Sequence, residues 1–409
     1  MEAQSTSERG VRMRAFYRSA PARRVGDEWG LTLTSGWLRP ESVRHMRHLW
    51  RQIQMVRRLA AITLAAGSLV VFAAASASAT APADDYVALI DAYHAGQTRE
   101  AVMALSNQED KWIAAAHAAA MKSAASWPAG RLEAGVLLHT GVVTGGWVLP
   151  THVALHLDAA RRLLGASRDP RAKALRHQWL LVVCWHFQSE LDLASMVPYL
   201  DELRDNFADD PETDLSSGTF FEAAGWSVAS PDSLPWNSRS RSRVLSLMPR
   251  HSQQEALEQA AAAFDRASRS PAVREEALVR LGHVQVLLGK PQDALARLTP
   301  LVSGASDRRW RYLAALFSAL AEATRGNADA EAAAYRSASA LAPGCQTPIV
   351  GLTALLRLQG STTEAAALAR TLTESDDRSC DDAWWNYRFG PSPDRVPAHL
   401  EQLRKEFAP

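Results

Sequence analysis

The 409-residue sequence has few cysteines, few lysines and little net charge. Its three cysteines are too few for a disulfide-dense scaffold or a four-cysteine zinc site. Only five of its 45 basic residues are lysines, and the other 40 are arginines. A formal net charge of +1 excludes extreme charge as the basis of function, so we expect no nucleic-acid partner.

Catalytic motifs are also missing from the sequence. It contains no Gly-x-Ser-x-Gly, no phosphate-binding glycine-rich loop and no His-Glu-x-x-His. His152 and His156 are spaced to face one metal ion from a helix, but no third ligand lies nearby. Cys184 lies in an apolar run and is expected in the core. We therefore predict no catalytic residue, no metal site and no cofactor.

Charge is distributed unevenly along the chain. Residues 1–54 contain ten arginines and five acidic residues, and residues 59–79 contain no charge at all. Residues 80–409 carry 33 basic and 39 acidic residues, a net charge of −6. A basic start, an uncharged stretch and an acidic body are typical of export.

Residues 55–79 match a secretory signal peptide, with two arginines before an apolar run. The small residues at the end of the run predict cleavage between Ala79 and Thr80. The alternative is an uncleaved membrane anchor at 59–79, because about 20 apolar residues can span a bilayer. We expect an exported bacterial protein, periplasmic or secreted, and membrane attachment only if this anchor persists.

Residues 1–54 precede the signal and carry no fold prediction. We expect either a disordered extension or a translation start near Met55. The alternative is a cytoplasmic tail in front of a membrane anchor.

From residue 84 onward the sequence predicts an all-α fold. Good helix formers dominate, and apolar residues recur at intervals of three and four. We expect an irregular helical region over 80–250, with a break at Pro198. The clearest helical runs in it are Lys111–Ser126, Arg131–His139, His152–Leu164, Ala172–Ser189 and Leu193–Phe207.

The turn glycines Gly289, Gly326 and Gly360 lie 37 and 34 residues apart, and each ends one helical run before another begins. Small or bulky residues recur around these glycines: Gly282, Ala294, Leu298, Ala319, Tyr335, Leu352 and Ala365. The pattern, clearest over 252–375, resembles the tetratricopeptide repeat, a 34-residue helix–turn–helix unit.

The resemblance implies an α-solenoid of stacked helix pairs with a concave groove that binds a protein or peptide partner. By the register of that family, four side chains face the groove: Glu276, Arg280, His283 and Arg357. Loop 226–251 interrupts the repeats as either a disordered spacer or a binding loop. Residues 376–409, which are rich in aromatic residues, are expected to cap the open end of the solenoid.

Cys345 and Cys380 lie in turns nearly one repeat apart. Equivalent points on stacked helices are ~10 Å apart, which exceeds the ~7 Å Cα limit of a disulfide. Export permits oxidation, so a disulfide between them and two free thiols both remain open.

Two classes of function remain. The first is an exported scaffold or adaptor that binds its partner in the groove without catalysis. The second is an enzyme or small-ligand-binding protein that uses residues 108–250. An enclosed pocket with convergent His, Asp and Glu favours the second class, and an open groove favours the first.

Overall fold

The structure is a computed structural model that describes most of the chain after the predicted signal. It describes residues 82–145, 152–190, 192–229, 253–374, 380, 382–388 and 395–407. All of these belong to one compact unit. The N-terminal extension 1–54, the predicted signal 55–79 with its Ala79–Thr80 junction, and positions 230–251 of the predicted loop lie outside the described residues.

Every regular element in the described part of the chain is helical, which confirms the all-α prediction. The N-terminal half contains α1 (Pro82–His94), α2 (Thr98–Ser106), α3 (Asp110–Ala120), α4 (Ala129–Thr144), α5 (Val153–Ala166), α6 (Arg171–Ser189) and α7 (Leu193–Asn206). The repeat half contains α8 (Pro211–Ala229), α9 (Gln253–Ala267), α10 (Arg274–Leu287), α11 (Pro291–Gly304), α12 (Arg308–Arg325), α13 (Ala328–Leu341), α14 (Gln346–Leu358) and α15 (Thr362–Glu374). The C-terminal tail, defined as residues 380, 382–388 and 395–407, adds α16 (Ala383–Arg388) and α17 (Arg395–Phe407). Among these helices, none combines the length and hydropathy that a membrane span needs.

Local sequence signals set where these helices begin and end. The side chain of Asp307 accepts a hydrogen bond from the backbone N–H of Arg309 at the start of α12. Gly326 ends that helix with a φ of 75°, a left-handed conformation that glycine adopts without strain. Asn327 then caps α13 by accepting from the N–H of Ala330. The turn between the two helices is thus encoded at two adjacent positions, Gly326 and Asn327.

Consecutive helices pack in pairs, as the repeat pattern predicts. We call α4, α6, α8, α10, α12 and α14 the first helices, and the helix that follows each one its second helix. The turns at Gly289 and Gly360 resemble that at Gly326, with φ values of 73° and 83°. Successive first helices from α4 to α12 also pack against each other, so together they form one continuous face.

Small residues allow close approach within the pairs. A Cβ atom added to Gly282 of α10 would lie 2.6 Å from the side chain of Leu298 in α11. A Cβ on Gly218 of α8 would lie 2.4 Å from the ring of Phe264 in α9. Leu298 and Phe264 are fully buried, so each glycine makes room for the core residue of its partner helix.

The predicted break at Pro198 is wrong. Helix α7 runs from Leu193 to Asn206 with Pro198 inside it. Asp192 caps the helix, and the buried side chains of Met196 and Leu200 anchor it on either side of the proline. Packing therefore outweighs the one backbone hydrogen bond that a proline removes.

The C-terminal tail returns to the N-terminal half. Leu403 of α17 is buried in the same core as residues of α1–α7. Helix α17 packs against α4 and α6, and the ring of His399 lies 5.2 Å from that of Trp185. The chain thus closes on itself between its last helix and the start of the helical array.

Candidate functional site

The face of the first helices carries the C-terminal tail along much of its length. The tail contacts α14 and α12 through Asp382, α10 and α8 through Tyr387, and α6 through His399. Successive contacts of the tail thus lie on successive first helices, from the end of the array back to its start. This face is the candidate functional site, because it already holds a peptide segment.

Asp382 fixes the start of the segment. One carboxylate oxygen accepts a hydrogen bond from the hydroxyl of Tyr312 in α12, at 2.8 Å. The other accepts from the backbone N–H and the hydroxyl of Thr347 in α14, at 3.0 and 2.7 Å. The backbone N–H of Trp384 donates to the first oxygen as well, at 3.1 Å, so the buried carboxylate accepts four hydrogen bonds and is not left unsatisfied.

A disulfide joins Cys345, just before α14, to Cys380 in the tail, with the Cα atoms 5.3 Å apart. The ~10 Å separation expected from repeat stacking does not apply, because Cys380 lies in a segment that crosses the first helices and not in a stacked repeat. Cys184 is the free, buried cysteine of α6, which confirms its predicted place in the core.

Tyr387 lies at the centre of the site. Its hydroxyl donates to a carboxylate oxygen of Glu222 in α8, at 2.5 Å. His283 of α10 also reaches that oxygen through Nδ1, at 2.7 Å. The ring of Trp384 stacks on that of Tyr387, and the ring of His283 stacks on that of Phe317 in α12. Three first helices therefore meet around one aromatic side chain of the tail.

Arg280 supplies the positive charge of the site. Its guanidinium bonds to Glu222 at 3.2 Å and to Glu276 at 2.9 Å. The same guanidinium lies 4.5 Å from the centre of the Tyr387 ring, a cation–π distance. All four side chains are buried, so this is a desolvated ionic network and not a surface ion pair.

The network shifts the protonation of its members. Burial alone would raise the pKa of Glu222, but the hydrogen bond and charge of His283, with the charge of Arg280, outweigh it and lower the pKa. Burial and the neighbouring Glu222 raise the pKa of Tyr387 well above its ordinary value. Glu222 is therefore an anion and Tyr387 a neutral hydrogen-bond donor across the physiological pH range.

The four predicted groove residues divide into two groups. Glu276, Arg280 and His283 do lie on a first helix, but they do not line an open groove. Tyr387 of the tail contacts Arg280 and His283, and Glu276 pairs with Arg280. Arg280 and His283 are each 1% exposed and Glu276 is 8% exposed. Arg357 of α14 is exposed.

The prediction that the aromatic segment caps the open end of the array is incomplete, because the segment also contacts helices nearer the middle. Trp384 and Tyr387 lie against α10 and α12, near the middle of the array. Trp385, their neighbour in sequence, is 52% exposed. The segment lies along the face because Asp382 and Tyr387 form hydrogen bonds with the first helices.

Sequence reasoning missed Glu222, Tyr312 and Thr347. Glu222 lies in a run of helix-forming residues, and its partners Arg280 and Tyr387 are 58 and 165 residues away. An isolated acidic residue among apolar neighbours, as in Phe220-Phe221-Glu222-Ala223-Ala224, is the one local signal of a buried charge.

A second buried polar cluster lies in the N-terminal half. The hydroxyl of Tyr86 lies 3.2 Å from Nδ1 of His117 and 2.6 Å from Nε2 of His139. Nδ1 of His139 lies 2.8 Å from Nδ1 of His156. Burial lowers the pKa of His117 and of His156 to about 4, and it lowers the pKa of His139 well below its ordinary value, so all three imidazoles are neutral at pH 7.

His152 and His156 do not converge on one point. His152 bonds to Asp110 at 3.0 Å on the surface of the molecule, whereas His156 is fully buried against His139. Within the described ranges, no three His, Cys, Asp or Glu side chains are arranged to hold a metal ion.

A cavity of about 250 Å³ lies between α1, α2, α4 and α17. Its lining includes Thr98, Arg99, Thr144 and Arg404 but none of the clustered histidines. The cavity and the titratable cluster are therefore separate features of the N-terminal half.

Comparison of the sequence with protein-family models and with curated proteins gives no match. The function is therefore inferred from the residues and contacts described above.

Proposed function

We propose that this chain is an exported scaffold or adaptor of the tetratricopeptide type, which binds a protein or peptide segment on the face of its first helices and performs no catalysis. One observation carries the proposal: the face already binds a peptide, the C-terminal tail of the same chain. The turn glycines at 37- and 34-residue intervals support assignment to this repeat class.

Export has two independent supports. The sequence at 55–79 has the charge pattern and the small residues of a cleaved signal. The disulfide between Cys345 and Cys380 is typical of proteins that fold in an oxidising compartment. N-terminal sequencing of the mature protein tests this part: we expect Thr80 as the first residue, and a chain that retains Arg57 would contradict cleavage.

The alternative function, an enzyme or small-ligand site within 108–250, has less support. His117, His139 and His156 of that region bond to one another or to Tyr86, and His139 and His156 are fully buried. A general acid or base has to reach its substrate, and the 250 Å³ cavity is lined by other residues.

A photo-crosslinking experiment tests the adaptor function. A photoreactive amino acid is placed at Arg357, exposed on the first helix α14, and in a matched control at Arg336, exposed on the second helix α13. Each protein is mixed with the exported proteins of the producing cell and illuminated. We expect a discrete adduct from position 357 and none from 336. Equal labelling at both positions, or none at either, would contradict a binding face on the first helices.

A further inference from the structure

Three side chains from one short stretch of the tail contact the face of the first helices. Asp382, Trp384 and Tyr387 contact the first helices, whereas Trp385 points into solvent and is 52% exposed. The face therefore recognises a carboxylate followed by aromatic rings two and five residues later. Neighbouring tryptophans with opposite environments show that contact depends on position in the segment and not on hydrophobicity alone.

Each of the three side chains meets a complementary group. The carboxylate of Asp382 accepts hydrogen bonds from α12 and α14. The ring of Trp384 lies edge-on to Phe317, at 5.9 Å. The Tyr387 ring lies against the guanidinium of Arg280, and its hydroxyl donates to Glu222. Aromatic anchors and a buried arginine are the residue types that dominate peptide-binding energies.

The way in which the tail segment is attached allows a ligand to displace it from the face. Helix α16 has only six residues, too short to be stable without the contacts that it makes. The disulfide between Cys345 and Cys380 holds it beside the face, where tethering gives an effective concentration of about a millimolar. A weak intrinsic contact can thereby keep the site filled until a tighter ligand competes.

We propose that Asp382, Trp384 and Tyr387 form an intramolecular stand-in for the partner, and that the partner is a peptide segment with the same chemistry: a carboxylate, then aromatic rings at the second and fifth positions after it. This inference rests on the proposed binding function and specifies its ligand. The partner segment displaces the tail and takes over its hydrogen bonds to Tyr312, Thr347 and Glu222.

The test adds the tail segment to the protein as a separate peptide. The probe is a fluorescent peptide of residues 380–390 with Cys380→Ser, added to two full-length proteins. One is the wild type, and the other is a released variant with Cys380→Ser, Asp382→Ala and Tyr387→Ala, which changes the tail and no residue of the first helices. We expect the peptide to bind the released variant at least about tenfold more tightly than the wild type. Circular dichroism and thermal unfolding establish that the variant is folded, and if it is not, Cys380→Ser with Asp382→Ala replaces it.

Two matched peptides test the chemistry. Trp384→Ala in the peptide should weaken binding to the released variant by about tenfold or more, whereas Trp385→Ala should leave it within about twofold. Equal losses from both substitutions would overturn the proposed recognition pattern. Absence of peptide binding to a folded released variant, or equal binding to the wild type, would overturn the stand-in itself.

Light scattering of the released variant tests whether a second copy of the chain occupies the face. A dimer that excludes the peptide would show that a second copy fills the face, and would overturn the proposal of a foreign segment. The peptide assay needs no natural partner. Peptide binding without an adduct at position 357 would therefore count against the adaptor function and not against the ligand chemistry.

Discussion

The N-terminal half and the repeat half each bury a cluster of polar side chains, but the first cluster is neutral and the second is ionic. In the N-terminal half, Tyr86, His139 and His156 are neutral and bond to one another. In the repeat half, Glu222 and Arg280 are charged and bond to each other beneath the tail. Both clusters avoid the cost of an unsatisfied buried group, but they do so by different chemistry.

The difference shows which perturbation destabilises each half. A neutral cluster avoids the desolvation of charge, so it is sensitive to protonation. An ionic cluster holds its charges by mutual attraction, so it is sensitive to the loss of one member. The ionic cluster also needs the tail, because Tyr387 occupies one of the hydrogen-bonding positions of Glu222.

The largest expected effect comes from removing one charge of the ionic network. Arg280→Met should lower the free energy of unfolding by about 3–5 kcal/mol, because Glu222 and Glu276 lose their counter-charge while buried. Urea unfolding measures the change. Arg269→Met is the control, since Arg269 pairs with Asp265 at the surface and should cost less than about 1 kcal/mol. Equal losses would show that burial of the network does not matter.

Loss of the disulfide should have the next largest effect. Cys380→Ser should lower the free energy of unfolding by about 2–4 kcal/mol, since the link closes a long loop in the unfolded chain. Hydrogen exchange of the most protected amides should show the same loss throughout the described helices, because the effect lies in the unfolded state. Thiol titration of the denatured wild type should find one thiol without reductant and three with it. Three thiols in both conditions would rule out the disulfide.

Substitution at a helix crossing should have a smaller effect. Gly282→Ala should cost about 1–3 kcal/mol, because the new methyl group would meet the buried side chain of Leu298. Gly304→Ala, with no atom within 4 Å of the added Cβ, should be close to neutral. Thermal unfolding of the two variants measures the difference. A reversed order would contradict close packing within the pair α10–α11.

A gradual change is expected with pH. Folding holds the pKa of His156 at about 4, below the ordinary value of 6.5, so the unfolded chain binds more protons between these values. Stability is therefore complete above pH 6.5 and falls toward pH 4, by up to about 1.4 kcal/mol per pH unit for each such histidine. Glu222, whose pKa is lowered, contributes stability that is fully present above pH 4.5 and is lost only below it.

Hydrogen exchange at pH 7 and pH 5 checks this difference between the halves. We expect amides of α4 and α5 to lose protection while those of α10 and α12 keep theirs. His139→Gln, which removes the central titratable ring, should flatten the pH dependence in the N-terminal half. Equal loss of protection in both halves would contradict the assignment of acid sensitivity to the histidine cluster.

The helices were largely predictable because their signals are local. The run predicted over Leu193–Phe207 is α7, Leu193–Asn206. The turn at Gly326 follows from a glycine and an asparagine at adjacent positions. Such signals act within a few residues, so they can be read without knowing the fold. The continuous α7 at Pro198 is the exception, because buried neighbours overrode a local rule.

The candidate site was predictable only in part. The repeat register placed Glu276, Arg280 and His283 on first helices, but it could not show that they are buried. That depends on a tail more than 100 residues further along the chain, as in the contact from His283 to Tyr387. No local pattern encodes which helix a distant segment contacts.

The sequence by itself determined an all-helical chain with turns at regular intervals, because helix periodicity and turn glycines are properties of neighbouring residues. Only the tertiary structure decided that the first helices form a continuous face and that the tail fills it. Those features arise from hydrogen bonds and packing between residues far apart in the chain, such as Glu222 and Tyr387. Burial then converted ordinary glutamate, arginine and tyrosine side chains into one coupled site.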